Sequence, residues 1–334
     1  MRLATLFDPT ANKATTVFVL PSGERIDLSD AVHYAPKDAT FENFDNLAEV
    51  ACHLDIVLPA ISGWRSKRPQ ASSGVSARTR FLPPVPAPRT FRDFYAFEQH
   101  VKTCRAKRGL EMVPAWYDAP AFYFSNPGSL IGHDAPVCAP KGSNELDYEL
   151  ELGIVIGRGG KDIKIRDAWK HVAGFTIVND FSARDLQRAE MSVGLGPAKG
   201  KDFATSVGPY LVTLDDLADR IDSVGRIHLN MVARVNGKEL SRGNSASMYF
   251  SWPTIIEHAS RDVMLFPGDL IASGTVGTGC ILELGPENTG GWLKPGDIVE
   301  LEIERLGTLR TPIVERPDAT ANSREKAGDA LVTA

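Results

Sequence analysis

Three acidic residues alternate with Leu and Tyr along the stretch from Leu146 to Glu151, immediately before a run of β-branched residues. This continuation predicts a strand, in which successive side chains point to opposite faces of a sheet. Asp147, Glu149 and Glu151 would then share one face. Because neighbouring carboxylates repel each other by roughly 1 kcal/mol or more at intermediate dielectric, the sequence predicts a compensating positive charge on that face.

Two interpretations of this acidic strand are open from the residues alone. A charged strand at the solvated edge of a sheet is common and needs no ligand. The apolar continuation through Ile154, Val155 and Ile156 indicates instead that the strand enters a core, which favours a bound hard cation. Mg²⁺ and Ca²⁺ prefer oxygen ligands, and Mn²⁺ also suits carboxylates. The remainder of the chain should then supply the missing ligands.

The composition excludes several classes of partner. With 334 residues, of which 43% are hydrophobic and 24% charged, the chain is typical of a globular protein with a large core. A net charge of −5 argues against nucleic acid and anionic membrane as partners. No apolar run reaches transmembrane length, and the N-terminus does not resemble a signal peptide. The cysteines Cys52, Cys104, Cys138 and Cys280 lack paired spacing, which predicts free thiols, no zinc site and a cytoplasmic location.

A change in composition near residue 80 predicts a domain boundary. Short strands and an amphipathic run from Phe44 to Leu54 precede it. Ser, Arg, Lys, Pro and Gly dominate residues 63–80, and the proline-rich run 81–88 stiffens the chain as polyproline II. The predicted units are a small β-rich domain over 1–80, a larger domain over 81–315 and a disordered tail over 316–334.

An acid and a histidine seven residues apart follow the proline run. Thr90 can cap a helix with Asp93 at its third position. Such a helix would place Asp93 and His100 on one face. The pair could be a metal ligand and a base, or an ordinary surface contact.

Another acidic position ends a predicted buried strand at 171–178. Asp180 follows this strand, and Ser182 with Asp185 three residues later resembles a capping box, so a helix is expected to begin at once. That arrangement would leave Asp180 exposed at the rim of the sheet, either as a functional carboxylate or as a capping acid.

Further polar candidates lie on this helix and in the loop behind it. Arg184 and Gln187, three residues apart, share a face of the helix. The glycine-rich loop 194–203 contains Lys201 but lacks the Gly-x-x-x-x-Gly-Lys-Ser/Thr phosphate cradle, which argues against a nucleotide site.

The remaining sequence is rich in turn and strand signals. Asn236-Gly237 predicts a two-residue hairpin turn. Two Pro-Gly-Asp turns, at 267–269 and 295–297, each predict a following strand. Glu283 is expected on a strand between them.

Four separated blocks of the chain carry a family pattern, in order. The blocks are Asp93-Phe94-Tyr95 with Gln99-His100, then 147–151, then 179–187 with Lys201, and Ser273-Gly274-Thr275 with Glu283. Together they resemble the fumarylacetoacetate hydrolase family between about Thr90 and about Leu301. Each block is weak alone, but together they agree with the metal-ligand chemistry that the acidic strand requires. The resemblance implies an α+β, mainly β fold: a mixed β-roll catalytic domain, preceded in some members by a small SH3-like barrel, and usually a homodimer.

The resemblance also implies a role for each matched residue. The implied ligands of a divalent cation are Asp93, Glu149, Glu151 and Asp180, with Thr205 beside them. The implied catalytic residues are His100 as the base on water, Glu283 as its orienting carboxylate, and Arg184, Gln187 and Lys201 as holders of developing negative charge. The implied substrate contacts are Tyr95, Tyr123 and Thr275, with Arg105 or Arg108, neither of which falls in register.

The implied reaction is hydrolysis of a carbon–carbon bond in a 1,3-diketo acid, such as fumarylacetoacetate or an acylpyruvate, as in aromatic and tyrosine degradation. The cation would polarise the carbonyl, His100 would take a proton from water, and the departing enolate would be held by the cation, Lys201 and Gln187. Met191 falls about where the eukaryotic enzyme has a substrate-binding tyrosine, so the sequence does not define the substrate.

Two other functions are open. Decarboxylases, dehydratases and isomerases of 2-oxo acids on the same scaffold need no water-activating histidine. A non-catalytic divalent-ion module would need neither His100 nor Lys201. The segment that carries His100 could also be a lid that orders only over substrate, in which case His100 would stand apart from Glu283 in the free protein.

Overall fold

The computed structural model of the chain describes residues 1–35, 45–67, 75 and 79–317. Most of the predicted tail, the start of the amphipathic run at Phe44 and most of the linker 68–78 lie outside these residues. The described residues form a mixed α+β fold dominated by strands, as predicted. Among them, no helix has the length and apolar character that a membrane span requires.

The strands follow one another along the described residues, with helices inserted between them. In chain order the strands are β1 (Arg2–Asp8), β2 (Lys13–Val19), β3 (Arg25–Asp27), β4 (Arg80–Phe81), β5 (Phe91–Phe94), β6 (Phe122–Phe124), β7 (Leu130–Ile131), β8 (Leu146–Asp147), β9 (Leu150–Ile156), β10 (Val172–Asp180), β11 (Ser182–Ala183), β12 (Thr205–Thr213), β13 (Asn230–Val235), β14 (Lys238–Asn244), β15 (Leu270–Thr275), β16 (Ile298–Ile303) and β17 (Gly307–Pro312). The α-helices are α1 (Leu47–Cys52), α2 (Leu54–Lys67), α3 (Glu98–Ala106), α4 (Arg184–Val193), α5 (Trp252–Ser260), α6 (Ile281–Leu284) and α7 (Pro286–Thr289).

An 11-stranded mixed sheet, with the central order β3-β2-β1-β12-β10-β9-β15-β5-β6, organises the molecule. Every residue of β9 and β10 is buried, which agrees with their apolar sequences. A second sheet, β14-β13-β16-β17, is antiparallel and shares a core with the first through residues such as Ile154, Ile177 and Leu301. Strands β5, β15, β9 and β10 are neighbours, so acidic residues on them can converge at one end of the sheet.

The predicted turns are confirmed. Asn236 and Gly237 connect β13 to β14 with φ values of 52° and 76°, the positive pair that a tight hairpin requires. Strands β15 and β16 each follow a Pro-Gly-Asp turn. In the first turn, the Asp269 carboxylate accepts hydrogen bonds from the backbone N–H groups of Thr90 and Phe266, at 2.9 and 2.8 Å. This carboxylate ties the start of β5 to β15.

The N-terminal strands extend the large sheet. Strand β1 pairs antiparallel with β12, where Arg2 lies opposite Val212. Helices α1 and α2 bring Val50 and Trp64 into a core cluster that also contains Val155 of β9. Within the described residues these strands are therefore continuous with the main sheet rather than a barrel of their own. The boundary near residue 80 stays a prediction.

Two secondary-structure predictions near the site are wrong. Residues 91–94 form strand β5, not the first turn of a helix, because they pair in parallel with β15 and antiparallel with β6. The helix begins only at Glu98, so Asp93 and His100 do not share a helix face. Glu283 lies on the short helix α6 instead of a strand. In both places, pairing and packing with distant segments override the local sequence pattern.

The acidic strand is interrupted. Its hydrogen-bonded pairing stops after Asp147 and resumes at Leu150, since β8 pairs with β11 while β9 pairs with β10 and β15. The backbone therefore changes sheets within Tyr148 and Glu149. As a result, Asp147 does not share a face with Glu151, contrary to the prediction.

Candidate active site

A cavity of about 520 Å³ opens at the end of the sheet where β5, β9, β10 and β15 meet. The predicted site residues that line it are Asp93, Tyr95, His100, Arg105, Arg108, Tyr123, Glu149, Glu151, Asp180, Arg184, Gln187, Lys201 and Thr275. Two further predicted residues, Thr205 and Glu283, are buried behind this lining. The structure thus brings the predicted residues to one place, although they span nearly two hundred positions of the chain.

Three carboxylates form the acidic cluster of this cavity: Asp93 on β5, Glu151 on β9 and Asp180 at the end of β10. One oxygen from each lies within 4.8 Å of the others. All three side chains are buried, so Asp180 is not exposed at a sheet rim as predicted. Asp93 Oδ1 and Glu151 Oε2 are buried and have no hydrogen-bond partner. Such orphaned acceptors fit a site that binds a cation.

The electrostatics of the cluster agree with this view. Burial, and then the charge of Asp180, raises the pKa of Asp93 well above its ordinary value. Burial, and then the charge of Asp93, raises the pKa of Glu151 in the same way. The pKa of Asp180 is also raised, because burial outweighs the nearby Lys201 charge. Three oxygen donors that repel one another fit a hard divalent cation. Its charge would offset both the free-energy cost of burying the carboxylates and their mutual repulsion.

Glu149 is in a different electrostatic situation. Its Oε1 accepts a hydrogen bond from Arg184 Nη2 at 2.8 Å, and its Oε2 is in contact with Lys201 Nζ. Burial opposes ionisation, but the Lys201 and Arg184 charges outweigh it and lower the pKa of Glu149 below its usual range. Both oxygens are therefore already paired with protein cations. Its role as a cation ligand stays a prediction.

Lys201 connects the paired and unpaired carboxylates. Its Nζ donates to Asp180 Oδ2 at 2.5 Å in addition to Glu149. Burial disfavours the ammonium form, but Asp180 and Glu149 outweigh this effect and raise the pKa of Lys201 above its ordinary value. Lys201 therefore carries its charge into the cavity, whereas Lys199, two residues earlier, forms an exposed ion pair with Asp202.

Hydroxyl groups support the acidic cluster. Tyr123 donates to Asp180 Oδ2 at 2.6 Å, so this predicted substrate contact also orients a carboxylate. Thr205 and Thr275 donate at 3.4 Å to Asp180 Oδ1 and Glu151 Oε1, respectively. Thr205 thus lies beside the acidic cluster, where the family resemblance places it, but it does not line the cavity.

A preformed dyad includes His100, which lines the same cavity as the acidic cluster. His100 Nδ1 lies 2.8 Å from Glu283 Oε2, so the interpretation in which the two stand apart in the free protein is wrong. The N–H of Thr278 donates to the other Glu283 oxygen at 3.1 Å. Burial disfavours the imidazolium, but hydrogen bonding to Cys280 and Glu283 together with the Glu283 charge raises the pKa of His100 to about 10. The dyad is held in place before any substrate binds.

Asp147 has a structural role that the sequence did not indicate. Its Oδ2 accepts a hydrogen bond from Arg184 Nε at 2.8 Å. Its two oxygens also accept the N–H groups of Ile281 and Leu282, at 2.7 and 3.0 Å, which are the first two residues of α6. Asp147 therefore holds both Arg184 and the helix that carries Glu283.

Other residues near the dyad were not predicted. Cys104 lies one helical turn after His100, with Sγ 3.8 Å from both ring nitrogens. Cys280 Sγ lies 3.6 Å from Glu283 Oε2. The spacing of four residues between His100 and Cys104 is the one sequence signal that could have paired them. The pairing with Cys280 needs the tertiary fold.

The outer part of the cavity is basic. Arg105 and Arg108 both line it, and their Nε atoms donate to the carbonyl oxygens of Glu111 and Cys104, at 2.5 and 3.1 Å. Lys107 and Arg188 line it as well. Met191, 41% exposed, is part of the same wall. Positive charge at the opening suits an anionic small molecule.

Lys201→Met should cost far more than Lys199→Met. The first change removes the cation that contacts both Asp180 and Glu149, and Glu149 then keeps only Arg184. Removal of one partner of a buried pair typically destabilises by about 3–5 kcal/mol. The second removes only an exposed contact. Denaturant unfolding of both variants without added metal would measure the difference. A larger loss in Lys199→Met would contradict the position assigned to Lys201.

Divalent cations should stabilise the protein more as the pH rises. The raised pKa values of Asp93 and Glu151 mean that the folded cation-free protein binds protons more tightly than the unfolded chain. This contribution to stability is complete below the unfolded pKa of about 4 and is lost as the pH rises through the folded values. Since protons compete with a cation, the increase in Tm on adding Mn²⁺ or Mg²⁺ should be larger near about pH 8 than near about pH 5.5. Equal shifts at both pH values in thermal unfolding would contradict a cation site at these carboxylates.

The acidic cluster, the histidine–carboxylate dyad and the buried positive charges share one cavity on a mixed β-fold. This combination is typical of an enzyme that uses a divalent cation. The family described as fumarylacetoacetate (FAA) hydrolase, C-terminal, matches residues 89–314. The chain belongs to this family.

Its relatives differ in activity. The chain is 38% identical over 197 residues to the human protein named oxaloacetate tautomerase FAHD2A, mitochondrial, covering 58% of this chain and 59% of the relative. It is 36% identical over 197 residues to 2,4-didehydro-3-deoxy-L-rhamnonate hydrolase of Sphingomonas sp. (strain SKA58), covering 59% and 65%. The alignments thus span about three fifths of these relatives.

Solved structures match over more of the chain. The fumarylacetoacetate hydrolase (EaFAH) from psychrophilic Exiguobacterium antarcticum superposes with a TM-score of 0.70 at 26% identity, covering 95% of this chain and all (100%) of that one. Maleylpyruvate hydrolase from Sphingobium sp. SYK-6, in complex with manganese (II) ion and pyruvate, shares the fold with a TM-score of 0.67 at 21% identity, covering 95% and 100%.

Proposed function

We propose that this protein hydrolyses a carbon–carbon bond in a 1,3-diketo acid of the acylpyruvate or fumarylacetoacetate type. The observation that carries the proposal is the preformed contact between His100 and Glu283, 2.8 Å long, in the wall of the cavity that contains the acidic cluster. A base and a cation site in one cavity are the two elements that this hydrolysis requires. Relatives named as hydrolases support the same reaction class.

The cofactor in this proposal is Mg²⁺ or Ca²⁺, with Mn²⁺ as a further candidate. Asp93, Glu151 and Asp180 would hold it, with Glu149 at the edge of the site. When bound there, a divalent cation supplies Lewis-acid polarisation of a substrate oxygen. The orphaned oxygens of Asp93 and Glu151 support this choice of ligands.

His100 supplies the base. Because Nδ1 faces Glu283, Nε2 is the ring nitrogen left to accept a proton from water. With a pKa of about 10 in the cation-free protein, His100 is protonated at neutral pH. The base form must therefore arise when further positive charge enters the cavity, since a nearby like charge disfavours the imidazolium.

Lys201, Gln187 and Arg184 stabilise the negative charge of the departing enolate. Arg184 Nη1 donates to Gln187 Oε1 at 3.0 Å, which leaves the Gln187 amide N–H groups available as donors. Lys201 carries its charge at the same wall. Donors that are already oriented in a buried site stabilise developing charge with little reorganisation.

A second candidate is tautomerisation of a 2-oxo diacid. The 38% identity with a relative named oxaloacetate tautomerase favours it. The same dyad could move the acidic C3 proton between carbon and solvent without breaking a carbon–carbon bond. Homodimerisation and a cytoplasmic location stay predictions beside either function.

The two functions can be separated in one experiment. The purified protein, loaded in turn with Mg²⁺, Mn²⁺ and Ca²⁺, is incubated in deuterated water with acylpyruvates, fumarylacetoacetate, sugar-derived 2,4-diketo acids and oxaloacetate. Hydrolysis predicts loss of the enol absorbance and release of pyruvate or the matching acid. Tautomerisation predicts deuterium at C3 and faster keto–enol equilibration with no fragment. Exchange without cleavage across the whole panel would overturn the proposed hydrolysis.

A further inference from the structure

A second group of metal-ligand side chains lies beside the acidic cluster and differs from it in chemistry. His100, Cys280 and Glu283 are all buried, and one donor atom from each lies within 4.8 Å of the others. Cys104 Sγ adds a fourth donor, 3.8 Å from the His100 ring nitrogens. Nitrogen and sulfur donors select softer cations than carboxylates do. This mixed group is therefore not a duplicate of the acidic cluster. The fold brings Cys104 and Cys280 to the same histidine, although their spacing in the sequence predicted no zinc site.

The distances in the group are close to those of a tetrahedral zinc site. Zinc bonds of about 2.0–2.3 Å place neighbouring donors about 3.3–3.8 Å apart. The separation between Cys280 Sγ and Glu283 Oε2 is 3.6 Å, and that between Cys104 Sγ and His100 is 3.8 Å. The 2.8 Å contact between His100 and Glu283 would have to open by about half an ångström to fit the same geometry.

We propose that this group is a regulatory site for Zn²⁺ or a cation of similar softness, bound by His100, Cys280 and Glu283 and completed by Cys104. His100 and Cys104 line the cavity, which gives the ion a path from solvent. A cation bound at this site would separate the His100 ring nitrogen from the Glu283 carboxylate and break the contact between them. A protein that needs Mg²⁺ or a related hard cation at the acidic cluster would then be inhibited by a soft cation at the dyad.

The inhibition rests on the proposed function, but the binding site does not. Binding is therefore tested first, with Co²⁺ as a spectroscopic probe in excess Mg²⁺, which fills the acidic cluster. The wild-type protein should show thiolate-to-cobalt charge-transfer absorption that saturates at one equivalent, and added Zn²⁺ should remove it. Cys280→Ser should weaken this absorption, and Cys280→Ser combined with Cys104→Ser should abolish it. Cys138→Ser, which changes a half-buried thiol elsewhere, should keep it.

Inhibition is measured on the same proteins. If zinc withdraws the base, one equivalent should lower turnover of any substrate by about 10²–10⁴-fold, the usual contribution of a general base. Zinc inhibition of Cys280→Ser, measured relative to that variant's own Mg²⁺-dependent turnover, should be much weaker than in the wild type, because serine offers the ion no thiolate. Absence of the charge-transfer absorption in the wild type, or zinc inhibition undiminished in Cys280→Ser, would overturn the proposal.

Should Cys280→Ser fail to fold, Cys104→Ser gives the same comparison. A protein that binds cobalt through thiolate but cleaves no diketo acid would overturn the proposed function alone.

Discussion

Glu151→Gln should abolish cation-dependent activity, by more than about 100-fold, and leave the fold intact. The Glu151 carboxylate is 1% exposed, has an oxygen without a hydrogen-bond partner and is repelled by Asp93, Glu149 and Asp180. An amide of the same shape removes the repulsion together with a ligand. The cation-free variant should therefore be as stable as the parent or more stable. The increase in Tm on adding Mn²⁺ should disappear, since saturation at about 100 times Kd would otherwise contribute about 2.7 kcal/mol.

Glu149→Gln provides the informative comparison. It also removes a predicted ligand, but it leaves Lys201 and Arg184 facing an uncharged amide in a buried site. The cation-free protein should then be destabilised, in contrast to Glu151→Gln. Glu239→Gln, which alters an exposed pair with Arg242, is the control for the exchange of carboxylate for amide. Full metal-dependent activity in Glu151→Gln would remove this residue from the cation site.

His100→Ala should lose carbon–carbon bond cleavage by about 10²–10⁴-fold, the contribution typical of a general base. It should still bind the cation, because His100 belongs to the dyad and not to the acidic cluster. It should also still exchange the C3 proton of a diketo acid in deuterated water, since stabilisation of the enolate does not depend on the imidazole. Glu283→Gln should reduce cleavage in the same direction by a smaller factor, because it changes the orientation and basicity of His100 and leaves the ring in place.

The control for this series is His228→Ala, which removes an exposed histidine paired with Asp222. Pyruvate release and deuterium incorporation are measured on the same samples. Cleavage at the parental rate in His100→Ala would place the base elsewhere, and Glu98 on the same helix would be the first candidate. Loss of exchange together with cleavage would assign His100 to proton transfer at C3 and favour the tautomerase activity.

The sequence predicted the residues of this site better than their secondary structure. Glu151 was identified on the predicted acidic strand, Asp180 at the end of another predicted strand, and Asp93 on a predicted helix, and the family resemblance joined the three. However, Asp93 was assigned to a helix that begins only at Glu98. The sequence at Thr90 does match a helix-cap pattern, but the pairing of β5 with β15 determines the backbone conformation there. Such pairing is set by residues about 180 positions away, which no local pattern reports.

The burial of Asp180 could not be read from the chain for a similar reason. It ends a strand beside a helix, which at a sheet rim would leave it in water. Here Tyr123 and Lys201 cover it, and both come from other parts of the sequence. The hairpin at Asn236-Gly237 was predictable because two adjacent residues determine its geometry.

The position of Asp147 has a consequence for how substitutions combine. One carboxylate holds Arg184 on one side and the first turn of the Glu283 helix on the other. The proton-transfer side and the anion-holding side of the cavity therefore share a support. In a double-mutant cycle, changes at Arg184 and Glu283 should show a coupling energy even though no contact joins the two side chains. That coupling should vanish when Asp147 is replaced by asparagine. Substitutions that adapt the cavity to a new substrate would therefore have to change its proton-transfer side and its anion-holding side together.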